Sequence, residues 1–339
     1  MSGELRLGLA GCGRLAEVGY VPAVRRAGGV TLVGVADPVR ARRERAAPEA
    51  AGHATLAELI ERQELDAVVL ATPAPAHLDD ARRVAARGLP CLVEKPPAPD
   101  APAARALARL DPLPFVGFNR RFDPGVAALR ERLGSEPGGD LELRLELRYR
   151  RGAWGAYQAA DTALLDLGPH LVDLARWISR QEVVAVRAAS VEPRQAELDL
   201  ELEEARARVR CASDRSHREV VEARIGPGRR ERHRSGGPVT GALAMAGRAL
   251  RRAGDHPLVT SLTAQLEAFE RAVHGHPAAP LATALDGVAA MAVVDAARVS
   301  ARSGGRWVES GTTERNTDER GAPATRGAGR EATAGGGRA

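Results

Sequence analysis

Short apolar runs alternate with helical periodicity along the first third of the chain, a pattern that predicts a parallel sheet covered by helices on both faces. Strands are expected near Leu5 to Ala10, Val30 to Ala36, Ala67 to Ala71, Pro90 to Glu94 and Phe115 to Phe118. Helices are expected over Leu15 to Ala27, Arg40 to Ala51, Leu56 to Glu61, Ala76 to Arg87 and Ala101 to Leu110. After Asp123-Pro124 and a helix to Leu133 the period changes. Leu141, Leu143, Leu145 and Leu147 alternate with Glu142, Arg144, Glu146 and Arg148, as in a half-exposed antiparallel strand. Similar segments follow at Val183 to Val191, Leu198 to Glu203, Ala205 to Cys211 and Glu219 to Ile225. Helices are read over Thr162 to Ile178, Val259 to Val273 and Leu281 to Ser300, and a last strand at Arg306 to Val308. The expected fold class is α/β: an N-terminal domain with a parallel sheet, then an α+β domain with a mostly antiparallel open sheet.

The length of 339 residues suits two domains with substantial cores. The boundaries are placed at residues 1–122, 123–310 and 311–339, the last a Gly-, Ala-, Thr- and Arg-rich tail expected to be disordered. No apolar run reaches membrane-spanning length and the N-terminus enters a strand-like segment, so a cytoplasmic chain without a membrane partner is expected. Cys12, Cys91 and Cys211 are too few and too scattered for a disulfide framework or a metal cluster, and are read as free thiols. The pI of about 9.7 raises the question of nucleic acid. Against it, 49 basic residues are interleaved with 44 acidic ones and aromatic content is 3%, which leaves no stacking platform. The densest basic cluster, Arg229-Arg230-Glu231-Arg232-His233-Arg234, is read as a solvated loop in preference to a phosphate-binding patch.

Gly11-Cys12-Gly13-Arg14-Leu15-Ala16 follows the first strand and opens a helix, the context in which a Gly-x-Gly-x-x-Gly/Ala motif is credible. Gly11 would permit the tight turn, Gly13 the approach of a pyrophosphate and Ala16 close helix packing, with the anion on the helix N-terminus. Gly11, Gly13, Arg14 and Leu15 are therefore candidate cofactor contacts. Asp37, ending the second strand, can accept hydrogen bonds from an adenosine ribose and repels a 2′-phosphate; the competing reading is a turn residue before Pro38. NAD is favoured, and Arg40, Arg42 and Arg43 nearby keep NADP open, with Arg42 a candidate contact. Thr72 and Pro73, ending the next central strand, are further candidates. His77 is read either as a cofactor contact or as a structural histidine at a helix start.

Of 49 lysine and arginine residues, one is a lysine. Lys95 lies in Glu94-Lys95-Pro96, directly after an apolar run, where a parallel strand would deliver it to a ligand crevice. An arginine-rich codon bias explains the depletion, yet a guanidinium cannot exchange its proton in a protein and an ammonium can.

These residues resemble the glucose–fructose oxidoreductase, inositol dehydrogenase and MocA-like family, in segment order over residues 4–309. The glycine motif carries the resemblance, with Thr72-Pro73 and His77, Glu94-Lys95-Pro96, Arg121 in Gly117-Phe118-Asn119-Arg120-Arg121-Phe122, and Asp166-Leu167-Gly168-Pro169-His170-Leu171-Val172-Asp173. It implies a Rossmann domain, a sheet domain that binds substrate and mediates homodimers or homotetramers, and NAD(P)-dependent chemistry at a carbinol or ketone. The substrates it implies are sugars, nucleotide sugars, cyclitols or related small molecules. It also implies that Lys95, Asp166 and His170 act at the reacting hydroxyl, and it adds Glu94, Lys95 and Arg121 to the cofactor contacts. One departure is Ala160-Asp161-Thr162, where many members carry a glycine run.

Asp166 and His170 are four apart and share a helical face, approximately with Asp173. His170 or Lys95 is expected to take the carbinol proton while Asp166 orients that group, with the pKa of Lys95 expected to be lowered beside a cationic ring. Trp154 and Tyr157 are read either as a stacking surface for a sugar or as packing, and His274-Gly275-His276-Pro277 as a loop, so no metal site is expected. The competing functions are a redox-assisted lyase or glycosidase that recycles bound NAD, and a non-catalytic NAD(P)-sensing regulator.

Overall fold

The computed structural model describes residues 4–134, 140–150, 162–236 and 256–311. The first domain is built on a seven-stranded sheet. Its strands are β1 (Leu5–Ala10), β2 (Val30–Ala36), β3 (Ala51–His53), β4 (Ala67–Leu70), β5 (Cys91–Val93), β6 (Phe115–Val116) and β13 (Ala282–Thr283), in the order β13-β6-β5-β4-β1-β2-β3. All neighbours are parallel except β13, which pairs antiparallel with β6. Order reverses between β1 and β4, and that switch point at the carboxyl ends of the strands is where an open α/β sheet leaves a ligand crevice.

Both faces of this sheet are covered, which is why its strands read as unbroken apolar runs. Leu7, Leu9, Val69 and Leu92 pack on one face with Tyr20, with Val21 and Val24 of α1 (Val21–Val24), and with Leu262, Leu266 and Phe269 of α8 (Pro257–Val273). A π-helical turn, Ala16–Tyr20, leads into α1. Val68, Leu70 and Val93 face the other way, against residues of α3 (Leu56–Arg62), α4 (Ala74–Ala85) and α5 (Ala101–Leu107). A shorter helix, α2 (Arg40–Ala46), lies between β2 and β3. Side chains cap the helix starts that sequence marks with Thr or Asp: Thr55 accepts from Glu58 N–H, Asp100 from Ala103 N–H and Asp123 from Gly125 and Val126 N–H.

In the second domain a seven-stranded sheet runs β12-β11-β7-β10-β9-β8-β14. Its strands are β7 (Leu141–Arg150), β8 (Val183–Glu192), β9 (Gln195–Leu202), β10 (Ala205–Ala212), β11 (Asp214–Ile225), β12 (Arg229–Gly236) and β14 (Val308–Glu309). Only β7 and β10 are parallel. One face buries Leu141, Leu143, Leu145, Leu147, Leu198, Leu200 and Val209 against α7 (Ala163–Ser179) and α9 (Ala284–Arg302). Each buried leucine contributes roughly 1.5–3 kcal/mol over an exposed one. The helix α6 (Pro124–Leu133) connects the two sheets in sequence.

Three differences from the sequence expectations have physical causes. The cluster Arg229 to Arg234 is not a loop: it is the edge strand β12, paired antiparallel along β11 from Arg218↔Gly236 to Ile225↔Arg229. Backbone pairing, not apolar alternation, makes this strand, and its charges pair across it, as in Arg230 to Glu222 at 2.8 Å and Arg132 to Glu231 at 2.7 Å. Rows of charge are typical of edges that must not recruit another strand. Second, α8 and β13 pack on the first sheet although they lie in the stretch 123–310 assigned to the second domain, because the apolar face of α8 completes the first core. Third, β3 and β13, only three and two residues long, escape any periodicity test. Trp154, Tyr157, Ala160, Asp161 and the segments 237–255 and 312–339 lie outside the described residues.

Candidate functional site

Gly11, Asp37, Thr72 and Lys95 follow the carboxyl ends of β1, β2, β4 and β5, and so line one end of the first sheet. Gly11 has φ +91°, and a Cβ there would stand 2.5 Å from the carbonyl oxygen of Ala71 and 2.9 Å from Thr72 N. Only glycine fits this turn. The helix starts at once, with Gly13 C=O accepting from Glu17 N–H at 3.1 Å, Ala16 buried, and Leu15 packed on the first core. The amide-lined turn thus presents a helix N-terminus to the crevice, the feature a pyrophosphate needs. Arg14 is half-exposed beside Glu17 at 3.2 Å.

Asp37 is 6% exposed. One carboxylate oxygen accepts from Cys12 N–H at 3.0 Å and the other from Val39 N–H at 2.8 Å, while its main-chain carbonyl accepts from Arg43. It therefore fixes the glycine turn to the end of β2. Burial and the Asp37 charge push the Cys12 thiol up to about 12, against the opposing charges of Arg43 and Arg42, so both arginines stand near the turn. Pro73 is exposed at the mouth and Thr72 is half-buried, its hydroxyl donating to Asp80 at 2.7 Å.

His77 is 1% exposed, and its two ring nitrogens lie 2.7 Å from the carbonyl oxygen of Thr72 and 3.0 Å from that of Pro96. It presents no surface to a cofactor. Glu94 is also buried: it accepts from Tyr20 OH at 2.6 Å and from Lys95 N–H at 2.9 Å, and burial raises its pKa. It links the helix after the glycine turn to the lysine loop.

The Lys95 ammonium reaches α7 of the second domain. It donates to Asp166 Oδ1 at 2.9 Å and to the Asp166 carbonyl at 3.1 Å, and the other carboxylate oxygen accepts from Tyr149 OH. One turn further along α7, His170 is 6% exposed, with Nδ1 lacking a partner among the described residues and the ring 6.0 Å from that of Phe118. Burial first, then the positive charges of Lys95 and Arg120, hold its pKa well below the usual histidine value. The imidazole is thereby held in its neutral form, with one ring nitrogen able to accept a hydrogen bond.

Arg121 and Asp173 are turned to a different task. The Arg121 guanidinium makes a bidentate pair with Asp173 at 2.5 and 2.9 Å, reaches Asp286 at 3.0 Å and donates to the Pro280 carbonyl at 3.4 Å. This joins the 3₁₀ turn Asn119–Phe122 to α7 and α9, away from any open surface. Its neighbour Arg120, held by buried Glu219 at 2.7 Å, is the one that faces His170. Sequence reasoning missed Tyr149, Glu219 and Tyr20, since a tyrosine ending a strand and a glutamate within one carry no spacing signal.

Cys12, Cys91 and Cys211 are buried free thiols. His274 closes α8 against Glu270 at 2.9 Å, and among the described residues no His, Cys, Asp and Glu group is arranged to hold a metal. No described helix is long and apolar enough to cross a membrane.

Residues 5–111 match the oxidoreductase family with an NAD-binding Rossmann fold. The rhizopine catabolism protein MocA of Rhizobium meliloti is 34% identical over 194 residues, 55% of this chain and 61% of that protein. Inositol 2-dehydrogenase 4 of Saccharopolyspora erythraea is 34% identical over 191 residues, 54% of this chain and 56% of that protein. The chain thus spans less than two thirds of these relatives. The fold extends further: scyllo-inositol dehydrogenase of Lactobacillus casei, solved with NAD(H) and scyllo-inositol, superimposes with a TM-score of 0.74 at 16% identity over 90% of this chain and 99% of that one. The family match covers the dinucleotide-binding domain, residues 5–111, and the likeness to solved structures extends the shared fold over both domains.

Proposed function

We propose that this protein is an NAD-dependent dehydrogenase that oxidises a secondary carbinol of a cyclitol or sugar-like polyol, or reduces the corresponding ketone. The observation that carries the reading is the contact of Lys95, delivered by the dinucleotide-binding sheet, with Asp166 one turn from a neutral buried His170. NAD suits the crevice because Gly11 leaves room where any Cβ would collide with Ala71, and Asp37 stands at the end of β2. Gly11, Gly13, Arg14, Leu15, Asp37 and Arg42 would hold its adenosine and pyrophosphate portion, with Thr72, Pro73, Glu94 and Lys95 nearer the reacting end.

Bound NAD supplies the hydride acceptor, and the chain supplies everything else. His170 takes the hydroxyl proton, which it can do at neutral pH because its environment keeps it unprotonated. Lys95 has three N–H groups and commits two to Asp166, which leaves the third to hold the developing oxyanion. Asp166, braced by Tyr149, sets the direction of that ammonium. The related inositol dehydrogenases make myo- and scyllo-inositol the first compounds to assay.

The test is NADH release from NAD and a panel of cyclitols, sugars and sugar acids, followed at the reduced-nicotinamide band. Net, stoichiometric NADH with at least one polyol is expected. Product without net NADH would replace this reading by a lyase or glycosidase that recycles its cofactor, and NAD binding with no turnover of any compound would leave a sensor. The reading includes a cytoplasmic homodimer or homotetramer, for which sedimentation velocity is the check.

A further inference from the structure

The buried ring of His77 has both nitrogens against main-chain carbonyls of two different loops. Thr72 C=O, at 2.7 Å, belongs to the loop after β4, whose preceding residue Ala71 is the wall against which Gly11 is packed. Pro96 C=O, at 3.0 Å, belongs to the residue that follows Lys95. The same helix takes a second hold on the first loop, because Thr72 Oγ1 donates to Asp80 at 2.7 Å. The ring therefore stands between the wall of the dinucleotide turn and the backbone of the lysine whose ammonium must reach Asp166.

Resting on the dehydrogenase reading above, we propose that His77 is a positioning residue: its ring ties the loop after β4 to the loop after β5, and so fixes Lys95 relative to the cofactor crevice. At 1% exposure it touches neither solvent nor ligand and acts through Lys95. A carbonyl oxygen only accepts, and burial lowers the pKa of the ring, whose neutral form has one N–H, so the ring donates to one of the two carbonyls at a time and packs against the other. A leucine at 77 fills the space and donates to neither loop. A glutamine supplies an amide nitrogen with two protons and can restore part of the tie.

Lys95 offers a readout that does not depend on turnover. It is the only lysine of the chain, so reductive methylation with carbon-13 formaldehyde gives one lysine resonance beside that of the N-terminal amine. In His77→Leu, kcat is expected to fall roughly tenfold to a hundredfold, the scale of an ångström-sized misplacement of a catalytic group. NAD affinity should stay within about threefold, the small change expected when a remote tie is lost and the direct cofactor contacts remain. The lysine resonance should move toward that of an exposed dimethyl-lysine, and His77→Gln should recover part of both kcat and the resonance position. A lysine resonance identical to wild type in a folded His77→Leu protein would overturn the proposal. So would a kcat loss in His77→Gln equal to that in His77→Leu with the resonance unmoved. If His77→Leu does not fold, the resonance in His77→Gln decides. If no polyol is turned over at all, the dehydrogenase reading fails while the resonance still reports whether His77 holds Lys95.

Discussion

His170 shows how one side chain's surroundings set both chemistry and stability. Burial, with Lys95 and Arg120 nearby, lowers its pKa in the folded protein, whereas an unfolded histidine titrates near pH 6.5. As pH falls through about 6.5 the unfolded chain gains a proton that the native chain refuses, so native stability declines, by up to about 1.4 kcal/mol per pH unit for this residue. Above that window both states are neutral and the contribution vanishes. Urea unfolding of wild type and His170→Asn from pH 7 to 5 should show the shallower loss of stability in the variant; parallel curves would mean that His170 titrates normally. The raised pKa of Glu94 acts in the opposite sense but is common to both proteins. At this scale the sequence was uneven as a guide. Lys95 stands out because it is unique, and Asp166 and His170 because a four-residue spacing puts them on one face. Tyr149 and Glu219 are visible only once β7 and β11 lie beside α7 and the 3₁₀ turn, because their roles are created by distant partners.

Elements carry the next layer. The glycine turn was legible because its chemistry is local: φ +91° and a neighbour 2.5 Å from an added Cβ are properties that only glycine satisfies. Gly11→Ala is expected to destabilise the protein by about 1–3 kcal/mol through backbone strain, with more lost if the Ala71 loop cannot shift. It should also weaken NAD binding at least about tenfold, the 1.4 kcal/mol equivalent of a displaced turn. Chemical denaturation and a fluorescence titration with NAD measure the two effects, and unchanged affinity would detach this turn from cofactor binding. By contrast, β12 was illegible. Period-two reasoning needs one apolar face, and Arg229 to Arg234 have none; the strand exists because β11 offers unpaired backbone groups. The long helix α7 was easy to place, but its acidic residues divide their labour in a way spacing does not reveal: Asp166 meets Lys95 and Asp173 meets Arg121.

Over the whole molecule, two sheets are joined by buried charge as well as by apolar contact. Arg121, Asp173, Asp286 and Arg176 form one network across the 3₁₀ turn, α7 and α9, with Arg176 reaching Asp286 at 3.3 Å. Removing Arg121 takes both side-chain hydrogen bonds and the nearest cation from an Asp173 carboxylate at 1% side-chain exposure. Arg121→Met should therefore cost about 3–5 kcal/mol in urea unfolding; a loss under about 1 kcal/mol would show that the network does not hold the junction. This is also why a motif arginine expected to touch the cofactor serves the frame instead. In the proposed reaction an ammonium from the nucleotide-binding sheet holds the reacting oxygen beside a neutral imidazole from the other domain. Its most direct test is the rate of NADH formation by Lys95→Arg at saturating NAD and polyol. The substitution keeps a positive charge for Asp166 but replaces a compact donor by a longer planar one. Turnover should drop by roughly a hundredfold to a thousandfold, with a much smaller effect on NAD affinity. A variant that releases NADH within a few-fold of the wild-type rate would contradict the account.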